Sequence, residues 1–109
     1  MPWLVRAADV LAAAEVARSG RERRRGLLGR DGVEGALVLA PCRHVHTFGM
    51  RFPIDIAFCD GDGVVLRVCS LPPWRLAPVV FRARFVIEAE AGAFERWALH
   101  EGDIIEIEL

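Results

Sequence analysis

The sequence predicts an α+β fold that is mostly antiparallel β, in which a small partly closed barrel or curled sheet packs against one helix. Short β-rich runs recur along the chain, Gly and Pro separate them, and an early segment carries helix-start and helix-stop signals. Because strands and helices do not alternate, a doubly wound fold is disfavoured. The length of 109 residues predicts a single domain over 1–109.

The N-terminal part combines an ambiguous stretch with a short helix. Residues 7–17, AADVLAAAEVA, are rich in helix formers, which favours a helix, although small apolar residues also alternate along them. Ser19 then precedes Glu22 by three residues and Gly26 follows, which predicts a short helix that is capped by Ser19 and ended by glycine. Its arginine run, RERRR, is expected to face solvent.

The rest of the chain reads as strands joined by turns. ALVLA, VHTF and IDIAF are β-rich runs, and the sequence DGDG at 60–63 predicts a hairpin because Asp and Gly adopt the positive φ angles of tight turns. Three prolines place LPPWRLAP in a loop. FVIEAEAG and residues 104–109 complete the set, the last run with alternating Ile and Glu.

Residues 41–60, PCRHVHTFGMRFPIDIAFCD, bring together several side chains that can perform chemistry. If residues 42–48 form a strand, Cys42, His44 and His46 share one face, a spacing at which imidazoles and a thiolate can bind one metal ion. A second ligand pair at fixed spacing is missing from the sequence, so neither a metal nor another cofactor is expected.

Asp55 is the acidic residue of the otherwise apolar run IDIAF. A buried carboxylate needs a partner, and Arg51 or Arg30 could supply the opposite charge. Three roles are open for it: a structural ion pair, a carboxylate that stabilises a turn, or a catalytic carboxylate.

Several segments in a fixed order resemble the family called domain of unknown function 192, from about Val10 to the C-terminus. They are RRRGLLGR, HTFGMRFPIDIAF, PPWRLAP, FVIEAEAG and EGD. The resemblance implies mostly antiparallel β structure with one packed helix, and a strand followed by a helix at the N-terminus, against the helix that composition favours over 7–17. It implies no reaction. The family pattern emphasises Arg23, Gly26, Leu27, Arg30, His46, Thr47, Met50, Pro53, Asp55, Glu88, Gly92, Gly102 and Asp103.

Three hypotheses for function follow from these residues. The first is a binding or accessory module for a small anionic or hydroxylated ligand, which Arg, His and Asp side chains suit. The second is a metal-dependent or acid–base hydrolase that uses His46 and Asp55. The third is a structural or partner-binding domain with a polar network in its core. The predicted ligand-binding residues are Arg23, Arg30, His46, Thr47, Met50, Arg51 and Asp55.

Charge and composition bear on partners and location. The net charge of −1 gives no overall field for nucleic acid or an anionic membrane, and no aromatic residue interleaves with the arginine run, so neither partner is expected. The sequence has no apolar run long enough to span a bilayer and no secretory signal, and its three cysteines are an odd number. We therefore expect a cytoplasmic protein with reduced thiols, and no pattern indicates its oligomeric state.

Overall fold

The computed structural model describes residues 2–109, which form seven strands and two short helices. In chain order these are β1 Trp3–Arg6, β2 Asp9–Ala17, α1 Gly20–Arg25, β3 Ala36–Leu39, β4 Ile54–Cys59, β5 Val65–Leu71, β6 Phe85–Glu90, α2 Ala93–Arg96 and β7 Ile105–Glu108.

The strands form one mixed sheet in the order β5-β4-β6-β3-β2-β1-β7. Only the β2/β3 pair is parallel among the paired strands of residues 2–109. The ladder does not close, although an isolated bridge between Val64 and Ile104 links the chain beside the two outer strands. The predicted α+β class with a mostly antiparallel sheet is confirmed, as a curled open sheet.

Both faces of the central strands are buried. All six residues of β4 are buried: Ile56 and Phe58 belong to one apolar cluster, whereas Ala57 and Cys59 belong to the other. This follows from the alternation of side chains along a strand, which sends successive residues to opposite faces. The sheet therefore separates two small cores, and each face can carry its own cleft.

Local signals predicted α1 well. Ser19 Oγ accepts from Glu22 N–H at 3.1 Å, and Glu22 Oε1 accepts from Ser19 N–H at 3.1 Å, which is the predicted capping box. Gly26 ends the helix at φ +49°, where a side chain is disfavoured. No helix within residues 2–109 has the length and apolar character that crossing a lipid bilayer requires.

Two segments differ from the expectations that composition gave. Residues 9–17 are strand β2 and not helix, because pairing with β1 and β3 overrides the helix propensity of alanine. The resemblance predicted the strand. Residues 42–48 are not a strand. The backbone N–H of Cys42 donates to Arg84 O, just before β6, and a single bridge joins His46 to Leu76. The second helix, α2, was not predicted.

Candidate functional site

Two clefts lie on opposite faces of the sheet. The first has a volume of about 620 Å³ and includes Leu39 and Met50 of one apolar cluster in its wall. The second has a volume of about 610 Å³ and includes Phe94 and Leu99 of the other cluster. The predicted site residues are divided between these clefts and the protein surface.

The first cleft lies between the C-terminal end of α1 and the segment 41–46, with β6 beneath. We call it the arginine cleft. It is defined by Arg23, Arg24, Arg25, Arg43, His46 and Glu88.

Glu88 is the acidic residue of the arginine cleft and is almost fully buried, with 3% of its surface exposed. Its backbone pairs with Leu37 on β3 and with Ile56 on β4, so apolar residues flank it on both sides. Burial raises the pKa of the Glu88 carboxyl to about 7, since the charged form is disfavoured where water is excluded.

The Glu88 carboxylate receives no hydrogen bond and makes no ion pair within residues 2–109, and burial is the sole cause of its raised pKa. All completely enclosed polar side-chain atoms of the described residues have partners, so the Glu88 oxygens must retain contact with the open cleft. Gly26 covers this carboxylate: a Cβ at position 26 would lie 3.8 Å from Glu88 Oε1. The Glu88 carboxylate thus forms the floor of the arginine cleft, where a ligand or water can reach it.

Four arginines line the same cleft as this acid: Arg23, Arg24, Arg25 and Arg43. The four ion pairs formed by residues 2–109 contain Arg6, Arg30, Arg51 and Arg96, and thus none of the arginines of the cleft. Among the four cleft arginines, within residues 2–109, only Arg23 donates to carbonyl groups: its guanidinium donates to Arg18 O and, at 3.5 Å, to Ala40 O. The cleft therefore presents more positive charge than its acidic floor neutralises.

Cys42 also lines the arginine cleft, but its thiol is not activated. Burial raises the pKa of Cys42, and nearby Glu88 raises it further, whereas the hydrogen bond to His44 O and the charge of Arg23 oppose the shift. The thiol donates to His44 O at 3.2 Å. A thiol kept protonated is a weak nucleophile, so the arrangement favours binding over thiol chemistry.

A row of aromatic rings begins at the edge of the arginine cleft. His46 lines the cleft and stacks on Phe48 with ring centroids 5.0 Å apart, and Phe48 is followed by Trp74 at 6.4 Å. The side chains of Phe48 and Trp74 are exposed, by 43% and 64%. His46 Nδ1 accepts from Phe48 N–H at 3.2 Å, which leaves Nε2 to carry the proton of the neutral ring. We call His46, Phe48 and Trp74 the aromatic row.

Thr47 fixes the aromatic row although its own side chain is fully buried. Its hydroxyl donates to Pro72 O at 2.7 Å and accepts from Arg75 N–H at 2.9 Å, while its carbonyl accepts from Trp74 N–H at 2.9 Å. Trp74 itself has φ +65°, a conformation that costs a bulky residue about 1 to 3 kcal/mol. The fold thus holds an exposed indole in a strained position beside the cleft.

Two of the predicted site residues, Arg30 and Arg51, form ion pairs away from the arginine cleft. Arg30 makes a two-fold contact with Glu15, with N–O distances of 3.1 and 2.9 Å. Arg51 pairs with Asp31 at 2.9 Å, and both side chains are largely exposed. Neither guanidinium is the partner of Asp55 that the sequence suggested.

Asp55 lines the second cleft, on the face of the sheet opposite the arginine cleft. Its carboxylate accepts from Gly92 N–H at 3.0 Å, from Phe94 N–H at 3.1 Å and from the Ser70 hydroxyl. Asp55 therefore caps the start of α2 and ties it to β4 and β5. His46 and Asp55, paired in the hydrolase hypothesis, line different clefts, because they come from different faces of the sheet.

The described residues do not form the ligand set that the metal hypothesis requires. Among residues 2–109, no three His, Cys, Asp or Glu side chains are grouped so that they could hold one ion. Cys42, His44 and His46 all line the arginine cleft, but the chain there is not the strand that would align them.

Comparison with known sequences identifies the family. Residues 4–107 match the family model of DUF192, described as Uncharacterized ACR. The chain belongs to the DUF192 family.

A UPF0127 protein of Pyrococcus horikoshii, PH1112, is 38% identical over 61 residues, 56% of this chain and 53% of that protein. The UPF0127 protein PYRAB11210 of Pyrococcus abyssi is 34% identical over 62 residues, 57% and 53% of the two chains. This chain thus spans about half the length of these curated relatives.

Two crystal structures have the same fold as this DUF192 chain. A protein of unknown function from Novosphingobium aromaticivorans superposes with a TM-score of 0.81 at 21% identity, over 96% of this chain and 82% of that one. A candidate transcription regulator from Sinorhizobium meliloti superposes with a TM-score of 0.78 at 19% identity, over 97% and 91%. At these identities the likeness shows the fold alone.

Sequence reasoning did not assign Glu88, Arg43 or Phe48 of this DUF192 chain to a site. The family pattern emphasised Glu88, but its alternation with Glu90 along β6 is also typical of a solvent face. In the structure Glu90 is exposed whereas Glu88 is covered by α1 and the segment that follows β3. The segments that bury Glu88 come from distant parts of the chain, so the residues next to it in the sequence do not signal its burial.

Proposed function

We propose that this DUF192 chain is a binding module that holds a small ligand in the arginine cleft. The proposed ligand carries an anionic group and a hydroxyl or amino donor. The observation that carries the proposal is Glu88: a buried carboxylate that has no partner among residues 2–109 and is open to a cleft of about 620 Å³. A volume of this size is typical of small-molecule sites.

The two halves of the site require different ligand groups. The Glu88 carboxylate, when ionised, only accepts hydrogen bonds, so a ligand hydroxyl or amino group satisfies it. Guanidinium groups only donate and favour carboxylate or phosphate oxygens, which places the anionic end at the arginines. Of the seven residues predicted from the sequence, Arg23, His46 and Met50 line this cleft.

Thr47 and Asp55 support a structural role instead. Each is buried and each accepts or donates hydrogen bonds that hold a loop or a helix in place. The polar network that the sequence suggested thus accounts for part of the emphasised pattern, and binding accounts for the residues of the arginine cleft.

Calorimetric titration with ribose 5-phosphate, ribose and inorganic phosphate tests the proposal at pH 8, above the pKa of Glu88. Ribose 5-phosphate, which has both groups, is expected to bind more tightly than either fragment. Glu88→Gln removes a charged acceptor and is expected to weaken this binding by about tenfold or more. Glu90→Gln, at an exposed acid on the same strand, is the matched control and is expected to leave binding unchanged.

Two results would overturn the proposal. One is the absence of heat with all three compounds while the folded protein is intact. The other is binding of ribose 5-phosphate that Glu88→Gln and Glu90→Gln affect equally, since the carboxylate in the cleft would then have no part in it.

We also place the protein in the cytoplasm. Cys42, Cys59 and Cys69 are all free thiols, and free thiols persist in a reducing compartment. Localisation of a tagged full-length chain checks this, and recovery in an exported fraction would contradict it.

A further inference from the structure

Phe48 and Trp74 of the aromatic row do not line the arginine cleft, so a small ligand held there leaves these two exposed rings without a role. The row continues outward from His46, a residue of the arginine cleft, through Phe48 to the exposed Trp74. Exposed aromatic rings leave apolar surface in contact with water, which is unfavourable. Neighbouring exposed rings therefore commonly mark a binding surface.

The row is also built rigidly. Thr47 joins the two loops that carry it through hydrogen bonds to Pro72, Trp74 and Arg75, and Trp74 stays at φ +65° despite its bulky side chain. A strained residue persists only where the surrounding structure fixes it, and such residues cluster at ligand sites. A loop that served only to connect two strands would not need this arrangement.

Charge decides between the ligands that stack on aromatic rings. Neutral saccharides and nucleobases both pack against such rings, but a neutral saccharide has no charge to pair with the four cleft arginines, which make no ion pair within residues 2–109. The arginines of the cleft lie at the inner end of the row, so a ligand that follows both features must alternate flat rings with anionic groups. Single-stranded nucleic acids combine these two properties, and their binding proteins use basic grooves with aromatic platforms.

We propose that the arginine cleft and the aromatic row together bind a short single-stranded nucleic acid. Its phosphates contact Arg24, Arg25 and Arg43, one sugar or base donor meets Glu88, and further bases stack on Phe48 and Trp74. This inference rests on the proposed function of the cleft and names its ligand class. From sequence alone no nucleic acid was expected, because no aromatic residue interleaves with RERRR. The fold supplies the aromatic rings from residues 46–48 and from the loop after β5.

Fluorescence anisotropy with a labelled single-stranded 12-nucleotide oligouridine tests this proposal. Trp74→Ala is expected to weaken binding by about fivefold or more, the loss typical of one stacking contact. Phe81→Ala is the matched control, because Phe81 is 76% exposed and lies outside the row. Both replaced side chains are at the surface, so the variants keep their fold.

The salt dependence of binding tests the phosphate contacts separately. The logarithm of the affinity should fall linearly with the logarithm of the salt concentration, and Arg43→Gln should reduce the slope by about 0.7, the value for one phosphate of a single strand. Arg67→Gln, at an exposed arginine of β5 outside the cleft, should leave the slope unchanged.

The outcomes separate this inference from the proposed function. If ribose 5-phosphate binds and depends on Glu88 but the oligonucleotide does not bind, the cleft is a small-molecule site and the nucleic acid proposal falls. Oligonucleotide binding that is indifferent to both Trp74→Ala and Arg43→Gln also overturns it. Binding of maltoheptaose that Trp74→Ala abolishes, without binding of the oligonucleotide, assigns the row to a saccharide instead.

Discussion

Asp55 and Glu88 are two acids with the same burial and opposite surroundings. They lie on neighbouring strands, one register position apart, and are 4% and 3% exposed. Because successive positions face opposite sides of a sheet, Asp55 points to the face that α2 covers and Glu88 to the face of the arginine cleft. Asp55 accepts three hydrogen bonds, whereas Glu88 accepts none from residues 2–109.

Burial alone therefore does not define the role of an acid. Three donors compensate Asp55 for its lost hydration, so it stabilises the fold. Glu88 has no such donor among residues 2–109 and opens onto a cleft, so its compensation has to come from a ligand or from water. Substitutions at the two positions should therefore change stability in opposite directions.

Asp55→Ala should have the largest effect. It leaves the Gly92 and Phe94 N–H groups without their acceptor and removes hydrogen bonds to a charged group, which we expect to cost about 3 to 5 kcal/mol of unfolding free energy. Urea denaturation at pH 7 measures this. A loss below about 1 kcal/mol would show that Asp55 is not the acceptor that holds α2.

Glu88→Gln should instead stabilise the protein at high pH. The folded pKa of Glu88, about 7, lies above its ordinary value of 4.5, so between these values the folded state binds more protons and the wild type loses stability as the pH rises. The difference between these two pKa values corresponds to a loss of about 3 kcal/mol in the unfolding free energy of the wild type. This loss is complete above pH 7 and absent below pH 4.5. We expect the variant to gain up to this amount relative to the wild type between pH 4.5 and pH 8.

Denaturation of both proteins at several pH values measures the gain. A stability difference that stays constant from pH 4.5 to pH 8 would contradict the account, because it would mean that Glu88 has the same pKa in the folded and unfolded states.

Ser70→Ala removes one of the three donors to Asp55. The two backbone donors remain, so the expected loss is about 1 to 2 kcal/mol, smaller than for Asp55→Ala. Thermal denaturation of the single and double variants checks that the effects are coupled. Fully additive losses would show that the Ser70 hydroxyl acts independently of Asp55.

Glu90→Gln should have the smallest effect. Glu90 lies two residues after Glu88 on the same strand, but it is exposed and pairs with Arg96 at the surface. Such pairs contribute about 0 to 1 kcal/mol, so the stability should hardly change. A loss of more than about 1 kcal/mol in urea denaturation would remove the contrast between the two positions.

Local signals predicted much of the fold and missed what depends on distant contacts. The Ser19 and Glu22 capping box, the DGDG hairpin and the last strand follow from short-range chemistry and are present. The alanine-rich stretch 9–17 became a strand because its neighbours in the sheet decide its conformation. Residues 42–48 were expected to alternate along a strand, but residues 41–46 all line the cleft, and a single bridge at His46 is their pairing within residues 2–109.

The candidate site was harder to predict than the fold. Arg23, His46 and Met50, which the sequence singled out, line the arginine cleft, but Glu88 joins them from β6, and Phe48 meets Trp74 across two loops. Asp55 was singled out because an acid in an apolar run is conspicuous. Only the topology shows that this acid faces the other side of the sheet from the cleft.

The most direct test of the central claim is an NMR titration of the Glu88 side-chain carboxyl carbon, with and without ribose 5-phosphate. We expect a midpoint near pH 7 in the free protein, as burial raises the pKa of Glu88, and a lower midpoint when a ligand donor bonds to the carboxylate. A midpoint near the ordinary value of 4.5 that the compound leaves unmoved would contradict it, since Glu88 would then be neither desolvated nor a ligand acceptor.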